Sequence, residues 1–224
     1  MTSFSDPNLV SSYAENAARL VPGIHDLPKM AGVLLSECVS ADARILILGA
    51  GGGLELKAFS ELQPTWALEG VDPSAEMLQL ARKTLGHLQS RVRLHHGYID
   101  TAPAGPFDGA TCLLTLHFLP RMQRVETLKT IHTRLRSGAP LVVVHHSFPN
   151  SGIEQDKWLS RSAEFAIASG MPATLAKNNI PTLKARLPVL TPEQDIEVLR
   201  EAGFTGIELF YCAFTFKGWV AYKA

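Results

Sequence analysis

Apolar residues fall along the chain in short blocks of two kinds. Arg44 to Leu48, Trp66 to Val71, Val92 to His96, Ala110 to Leu114 and Leu141 to His145 are nearly unbroken apolar runs of strand length. Between them lie segments with helical spacing. Leu54 to Leu62 is one, ended by Pro64, and Arg121 to Leu135 is another, stopped at Gly138. A third starts at Pro73-Ser74-Ala75-Glu76 and runs to about His87, with Ser74 as N-cap and Met77, Leu78 and Ala81 facing inward. Alternating strands and helices predict an α/β fold with a parallel sheet, because parallel neighbours need crossover connections. Unbroken apolar strands predict that both sheet faces are covered.

The two ends depart from this rhythm. Residues 9 to 20 and 28 to 39 read as helices separated by Val21-Pro22-Gly23. After Pro149, residues 153 to 170 and 172 to 179 read as helical and 180 to 190 as irregular. Pro192 to Ala202 is a helix ended by Gly203. Thr205 to Tyr211 and Phe214 to Tyr222 are close enough to pair as an antiparallel hairpin. The expectation is one domain: a helical lid (1–40), a core (41–148), a helical insert (149–191) and a closing helix with a strand pair (192–224). No internal repeat interrupts it.

The 224 residues are 46% hydrophobic and 19% charged, which predicts a substantial core. Lys plus Arg equals Asp plus Glu at 21 each, so the chain lacks the footprint of a non-specific nucleic-acid binder, and small-molecule chemistry is the better expectation. Met1 to Pro7 has no basic and apolar leader pattern. Runs such as Leu141-Val142-Val143-Val144 fall far short of the roughly 20 residues of a membrane helix. Cys38, Cys112 and Cys212 are widely spaced in apolar settings, which predicts buried thiols in a reducing compartment, with the cytoplasm the best fit. The eight histidines show no metal-ligand spacing, so no metal is expected.

The chemistry begins at Gly49-Ala50-Gly51-Gly52-Gly53, where the first strand turns into a helix. Glycines let the backbone turn sharply and approach a ligand, and the helix start offers unpaired N–H donors. Asp72 ends the second strand 23 residues after Gly49, where a carboxylate can bridge two ribose hydroxyls. The plainer reading of Asp72 is a cap on the helix at Ser74. A nicotinamide dehydrogenase would need GxGxxG, but Leu54 stands where its last glycine belongs.

Leu46 to Gly53, Gly70 to Leu78 and Phe107-Asp108-Gly109-Ala110 together resemble three motifs of the class I S-adenosylmethionine-dependent methyltransferases, over about residues 40 to 146. The resemblance implies a Rossmann-like sheet, mostly parallel with an antiparallel C-terminal hairpin and helices on both faces, binding S-adenosylmethionine. It places Gly49, Ala50, Gly51 and Gly53 under the methionine and ribose portions, and Asp72, followed by Pro73, on the ribose. Met77 would touch the adenine, Tyr98 and Ile99 would flank its edge, and Leu114 would close the floor. Two usual acids are absent. Ile47 stands two residues before the first glycine, where relatives reach the cofactor's amino group, and Tyr98 follows the third-motif Gly97. Glu55 and Asp100 are the nearest replacements. These absences also motivate a non-catalytic reading, in which the chain binds cofactor as a partner subunit.

On the acceptor side the sequence offers His117, at the sheet's carboxyl edge, as a base or contact, and Tyr13 on the lid helix as a ring near the sulfonium. His145 and His146 should point to opposite faces. The insert, with Trp158, Phe165 and Met171, is expected to cover a small-molecule acceptor, and a homodimer is compatible with all of this. Arg19 to Ile24, Thr115 to Leu119 and Ala202 through Phe214 further resemble the carboxy-S-adenosylmethionine synthase branch. That branch makes a carboxylated cofactor from S-adenosylmethionine and prephenate for tRNA uridine modification, and it uses a basic residue in the insert. Lys177, Lys184 and Arg186 are the nearby candidates.

Overall fold

A computed structural model describes residues 13–224. In chain order the elements are α1 (Tyr13–Leu20), α2 (Leu27–Ser36), β1 (Arg44–Leu48), α3 (Leu54–Leu62), β2 (Ala67–Asp72), α4 (Ala75–Leu85), β3 (Val92–His96), β4 (Gly109–Leu113) and α5 (Arg121–Arg134). They continue with β5 (Pro140–His146), α6 (Gly152–Ala168), α7 (Ala173–Arg186), α8 (Pro192–Glu201), β6 (Phe204–Ala213) and β7 (Phe216–Lys223). The seven strands form one sheet in the order β3-β2-β1-β4-β5-β7-β6, parallel from β3 through β5. β7 pairs antiparallel with both β5 and β6. The expected mostly parallel sheet with an antiparallel C-terminal pair is what the chain forms.

Period-two alternation sorts each strand between two cores. Ile45, Ile47, Val142 and Val144 pack on one face with Leu35 of α2, Leu56 and Phe59 of α3, and Ala81 and Leu85 of α4. Leu46, Leu48, Val143 and Trp219 pack on the other with Val125, Leu128 and Ile131 of α5 and Val198 and Leu199 of α8. Ser74 caps α4 as expected, its hydroxyl accepting from the Met77 N–H at 3.1 Å.

The outer layer differs from expectation in two respects. The helix expected over 172–179 runs on to Arg186, through Pro181. Proline removes one helical N–H, but α7 packs back on α6, where Met171 and Ala176 join Ala163 and Ala166, and ion pairs Lys177–Glu164 and Lys184–Asp156 link the two helices. Tertiary packing therefore outweighs the local breaker. Cys112 is buried, but Cys38 and Cys212 are exposed, the first beyond the end of α2 and the second on the edge strand β6. The first helix was expected from residue 9; positions 9 to 12 lie outside the described residues. Among the described residues no helix is long and apolar enough to cross a membrane.

Two buried charge clusters brace the sheet. Glu69 on β2 accepts from Arg44 at 2.8 Å and meets His95 Nε2 at 2.7 Å. Arg124 on α5, fully buried, donates to Asp195 of α8 at 2.7 Å, to the Leu119 carbonyl at 2.9 Å and to the Pro188 carbonyl at 2.7 Å.

Candidate active site

The loop from Gly49 to Gly53 is strapped to the end of β2. The Gly49 and Ala50 amides donate to the Val71 carbonyl, and the Gly52 amide donates to the Met77 carbonyl at 3.1 Å. Gly49, Gly52 and Gly53 all have φ near +80°, a conformation that side chains resist. Asp72 closes the loop from below: Oδ2 accepts from the Gly51 N–H at 2.9 Å and Oδ1 from the Ser74 N–H at 2.8 Å. The carboxylate thus ties the glycine loop to Ser74, the residue that caps α4. Burial pushes its pKa up, and the two backbone amides work against that rise.

The glycines have separate reasons. A Cβ on Gly51 would stand 2.6 Å from Asp72 Oδ2 and 2.8 Å from Met77 Cβ, and one on Gly52 would stand 2.8 Å from the Tyr13 ring. Gly53 instead abuts Ala81 of α4, 2.8 Å from its Cα, so it serves helix packing. Gly52 was not singled out in the sequence, although its place in the run of three glycines was the available signal. Gly51→Ala should push Asp72 and Met77 aside, at a cost of about 1–3 kcal/mol in stability. The urea midpoint checks this, and S-adenosylhomocysteine affinity should fall with it.

Around the loop stand most of the other expected contacts. Tyr13 of α1 lies against Gly52, and burial, then Asp72, then Glu55 raise the pKa of its phenol. Met77 is buried beneath Gly51. The Pro73 carbonyl meets His96 Nε2 at 3.1 Å. Gly97 donates to the Asp72 carbonyl, after which Tyr98 is about half exposed and Ile99 turns into the second core. Leu114 has φ of +57°, its N–H donating to the Val144 carbonyl at 2.6 Å. That left-handed turn sends the chain from β4 over the sheet edge.

The carboxyl edge of β4 and β5 gathers histidines. His117, in the short turn Leu116–Phe118, is buried, and its Nδ1 accepts from the His146 N–H at 3.4 Å. Burial first, then His146 and His145, hold its pKa well below the usual imidazole range. His146 stacks on Phe216 with ring centroids 3.9 Å apart, and its Nδ1 lies 3.0 Å from the Thr215 hydroxyl. Burial pushes its pKa down to about 3. His145 does point the other way, its Nε2 lying 3.2 Å from Asp195 Oδ1.

His146 opens on a cavity of about 10 Å³ bordered by Phe148, Leu159 of α6 and Leu183 and Leu187 of the α7 region. Trp158, Phe165 and Met171, expected at this pocket, do not line it. Trp158 is covered by Arg161 and Lys217, Phe165 meets Phe214, and Met171 packs within the α6–α7 pair. Lys177 and Lys184 are bound to Glu164 and Asp156. No group of metal-ligating side chains occurs among the described residues.

Residues 45–138 match the family model for a methyltransferase domain. The solved structure of human N-acetylserotonin methyltransferase with S-adenosylmethionine superposes with a TM-score of 0.64 at 13% identity, covering 99% of this chain. This chain spans only 57% of that protein's length. Sheet order, glycine loop and the match over residues 45–138 give the chain the fold of the class I S-adenosylmethionine-dependent methyltransferases. Among curated proteins it is similar to a carboxy-S-adenosyl-L-methionine synthase of Chromohalobacter salexigens, at 28% identity over 97% of this chain and 82% of that protein. It is also similar to one of Campylobacter fetus, at 24% identity over 97% and 93%.

The residues suit the cofactor. A glycine loop too tightly packed for side chains at Gly51 and Gly52, a carboxylate beside Gly51 and an aromatic ring against Gly52 are group types suited to a ribose and a sulfonium.

Proposed function

We propose that the chain transfers the methyl group of S-adenosylmethionine to a small-molecule acceptor seated between the β4–β5 edge and the α6–α7 cover. The observation that carries this reading is Asp72 beneath Gly51, with Tyr13 over Gly52. The bound cofactor supplies an electrophilic methyl on a sulfonium. The chain's own residues align the partners and exclude water, the main protein contributions to such a displacement. Asp72 would accept from the ribose hydroxyls, and Tyr13 would lay its ring near the positive sulfur.

Of the two roles its position suggested, a base or an acceptor contact, His117 takes the second. With Nδ1 accepting the His146 amide, the neutral ring carries its proton on Nε2, which makes that nitrogen a donor. It would orient an acceptor oxygen by donating to it. The neutral net charge and the mainly apolar border of the His146 cavity, with Lys184 and Gln155 at its rim, favour a small organic acceptor over nucleic acid. That cavity holds about one water, so an acceptor requires α6 and α7 to part.

The names of the curated relatives favour a second reading, synthesis or use of a carboxylated S-adenosylmethionine. Lys184, on the rim of the His146 cavity and ion-paired with Asp156, is the insert cation placed to serve it; Lys177 is paired with Glu164 at the surface, Arg186 is exposed, and buried Arg124 is committed to Asp195 and two carbonyls. Mass spectrometry of the nucleoside released by heating the purified protein decides between them. S-adenosylmethionine or S-adenosylhomocysteine is the expected mass, and a carboxylated cofactor would replace the first reading with the second.

A further inference from the structure

We propose that Glu55 is the carboxylate that receives the ammonium of the cofactor's amino-acid portion, in place of the acid that position 47 lacks. The inference rests on reading the glycine loop as an S-adenosylmethionine cradle. It starts from register. Ile47 of β1 and Thr111 of β4 are direct partners in the parallel ladder, so their side chains share one sheet face. The Thr111 hydroxyl donates to Glu55 Oε1. Glu55 sits in the first turn of α3, directly after the glycine loop, and its side chain reaches down to that face. An acid at position 47 would project onto the same face. The carboxyl is therefore delivered from the helix rather than from the strand.

Glu55 is otherwise hard to account for. It is buried, only 9% exposed, and no ion pair among the described residues includes it. Burial pushes its pKa up to about 8, and the Thr111 hydrogen bond pulls the other way only in part. A carboxyl in such a place costs stability that an apolar side chain would not, which points to a use outside packing. Its neighbours indicate the use. Burial, Asp72 and Glu55 together raise the pKa of Tyr13, so both carboxyls act on one ring that lies on the glycine loop. Two carboxyls around one cradle complement a ligand with two positive centres, a sulfonium and an ammonium.

Titration calorimetry with two probes tests this. S-adenosylhomocysteine carries the amino-acid portion, and 5′-methylthioadenosine lacks it. Glu55→Gln keeps the shape and an acceptor for Thr111 but cannot ionise to meet an ammonium. The S-adenosylhomocysteine Kd is expected to rise about tenfold or more while the 5′-methylthioadenosine Kd stays within about twofold. Ile47→Asp added to Glu55→Gln should restore most of the lost affinity by returning the acid to the strand. Glu55→Asp, charged but one methylene shorter, should lie between wild type and Glu55→Gln. An unchanged S-adenosylhomocysteine Kd overturns the inference and leaves the cradle standing. So does a parallel loss for both probes, which would mark Glu55 as a packing residue. A wild-type protein that binds neither probe overturns the cradle and this inference with it.

Discussion

Asp72→Ala should lose half or more of the thermal stabilisation that S-adenosylhomocysteine gives the wild type. A ligand at 100 times its Kd stabilises the folded state by about 2.7 kcal/mol. In a chain of this size that raises Tm by roughly 5–10 °C. Charge-assisted hydrogen bonds to the ribose contribute about 1.5–3 kcal/mol, so their loss weakens binding by about 10- to 150-fold. At the same ligand concentration the remaining shift is then roughly 1–5 °C, about half of the wild-type shift or less. The ligand-free variant is weakened as well, because the amides of Gly51 and Ser74 lose their acceptor. Asp72→Asn separates the two effects, since its amide oxygen can still accept from one backbone N–H. A ligand shift that survives both substitutions would place the ribose elsewhere.

The second large effect concerns stability alone. Asp195→Ala should lower the unfolding free energy by about 3–5 kcal/mol, because it strands the buried Arg124 guanidinium on two carbonyls. Arg124 is 0% and Asp195 2% exposed, so water cannot replace the lost partner. The midpoint of urea unfolding should fall accordingly. Replacing both members, as in Arg124→Met with Asp195→Leu, should recover much of the loss, since an apolar pair needs no counter-charge. Acid dependence follows the same logic. Burial raises the Asp195 pKa, but His145 and Arg124 together lower it further, so the folded value lies under the unfolded one. The stability this confers is present above the ordinary aspartate pKa, about 3.9, and is lost only as pH falls through the depressed folded value. A single variant with an unchanged urea midpoint would mean the pair does not brace α5 against α8.

The sheet was legible because its signals are local. β1, β3 and α3 stand at their expected bounds, where unbroken apolar runs meet glycine or proline punctuation. Ser74 and Asp72 were readable for the same reason, since a cap and a strand-end acid are fixed by their immediate neighbours. What escaped depended on partners distant in sequence. The end of α7 followed packing on α6 instead of Pro181, and the exposure of Cys38 and Cys212 follows from the helix end and the edge strand they sit on. Glu55 looked like an ordinary first-turn acid until the β1–β4 register brought Thr111 beside it. His117 had the right edge of the sheet, but the partner of its Nδ1, the His146 amide, comes from β5 and sets which nitrogen holds the proton.

The insert between β5 and α8 was the least legible part. Its aromatic residues suggested a pocket lining, yet Trp158 and Phe165 are taken up by Lys217, Arg161 and Phe214. Aliphatic residues with no distinctive spacing, Leu159, Leu183 and Leu187, border the His146 cavity instead.

Titration of the purified wild-type chain with S-adenosylhomocysteine tests the central claim most directly. Saturable binding at one ligand per chain, lost in Asp72→Ala, is the predicted result. A flat titration at millimolar ligand would contradict the assignment of the Gly49–Gly53 loop and Asp72 as an S-adenosylmethionine cradle.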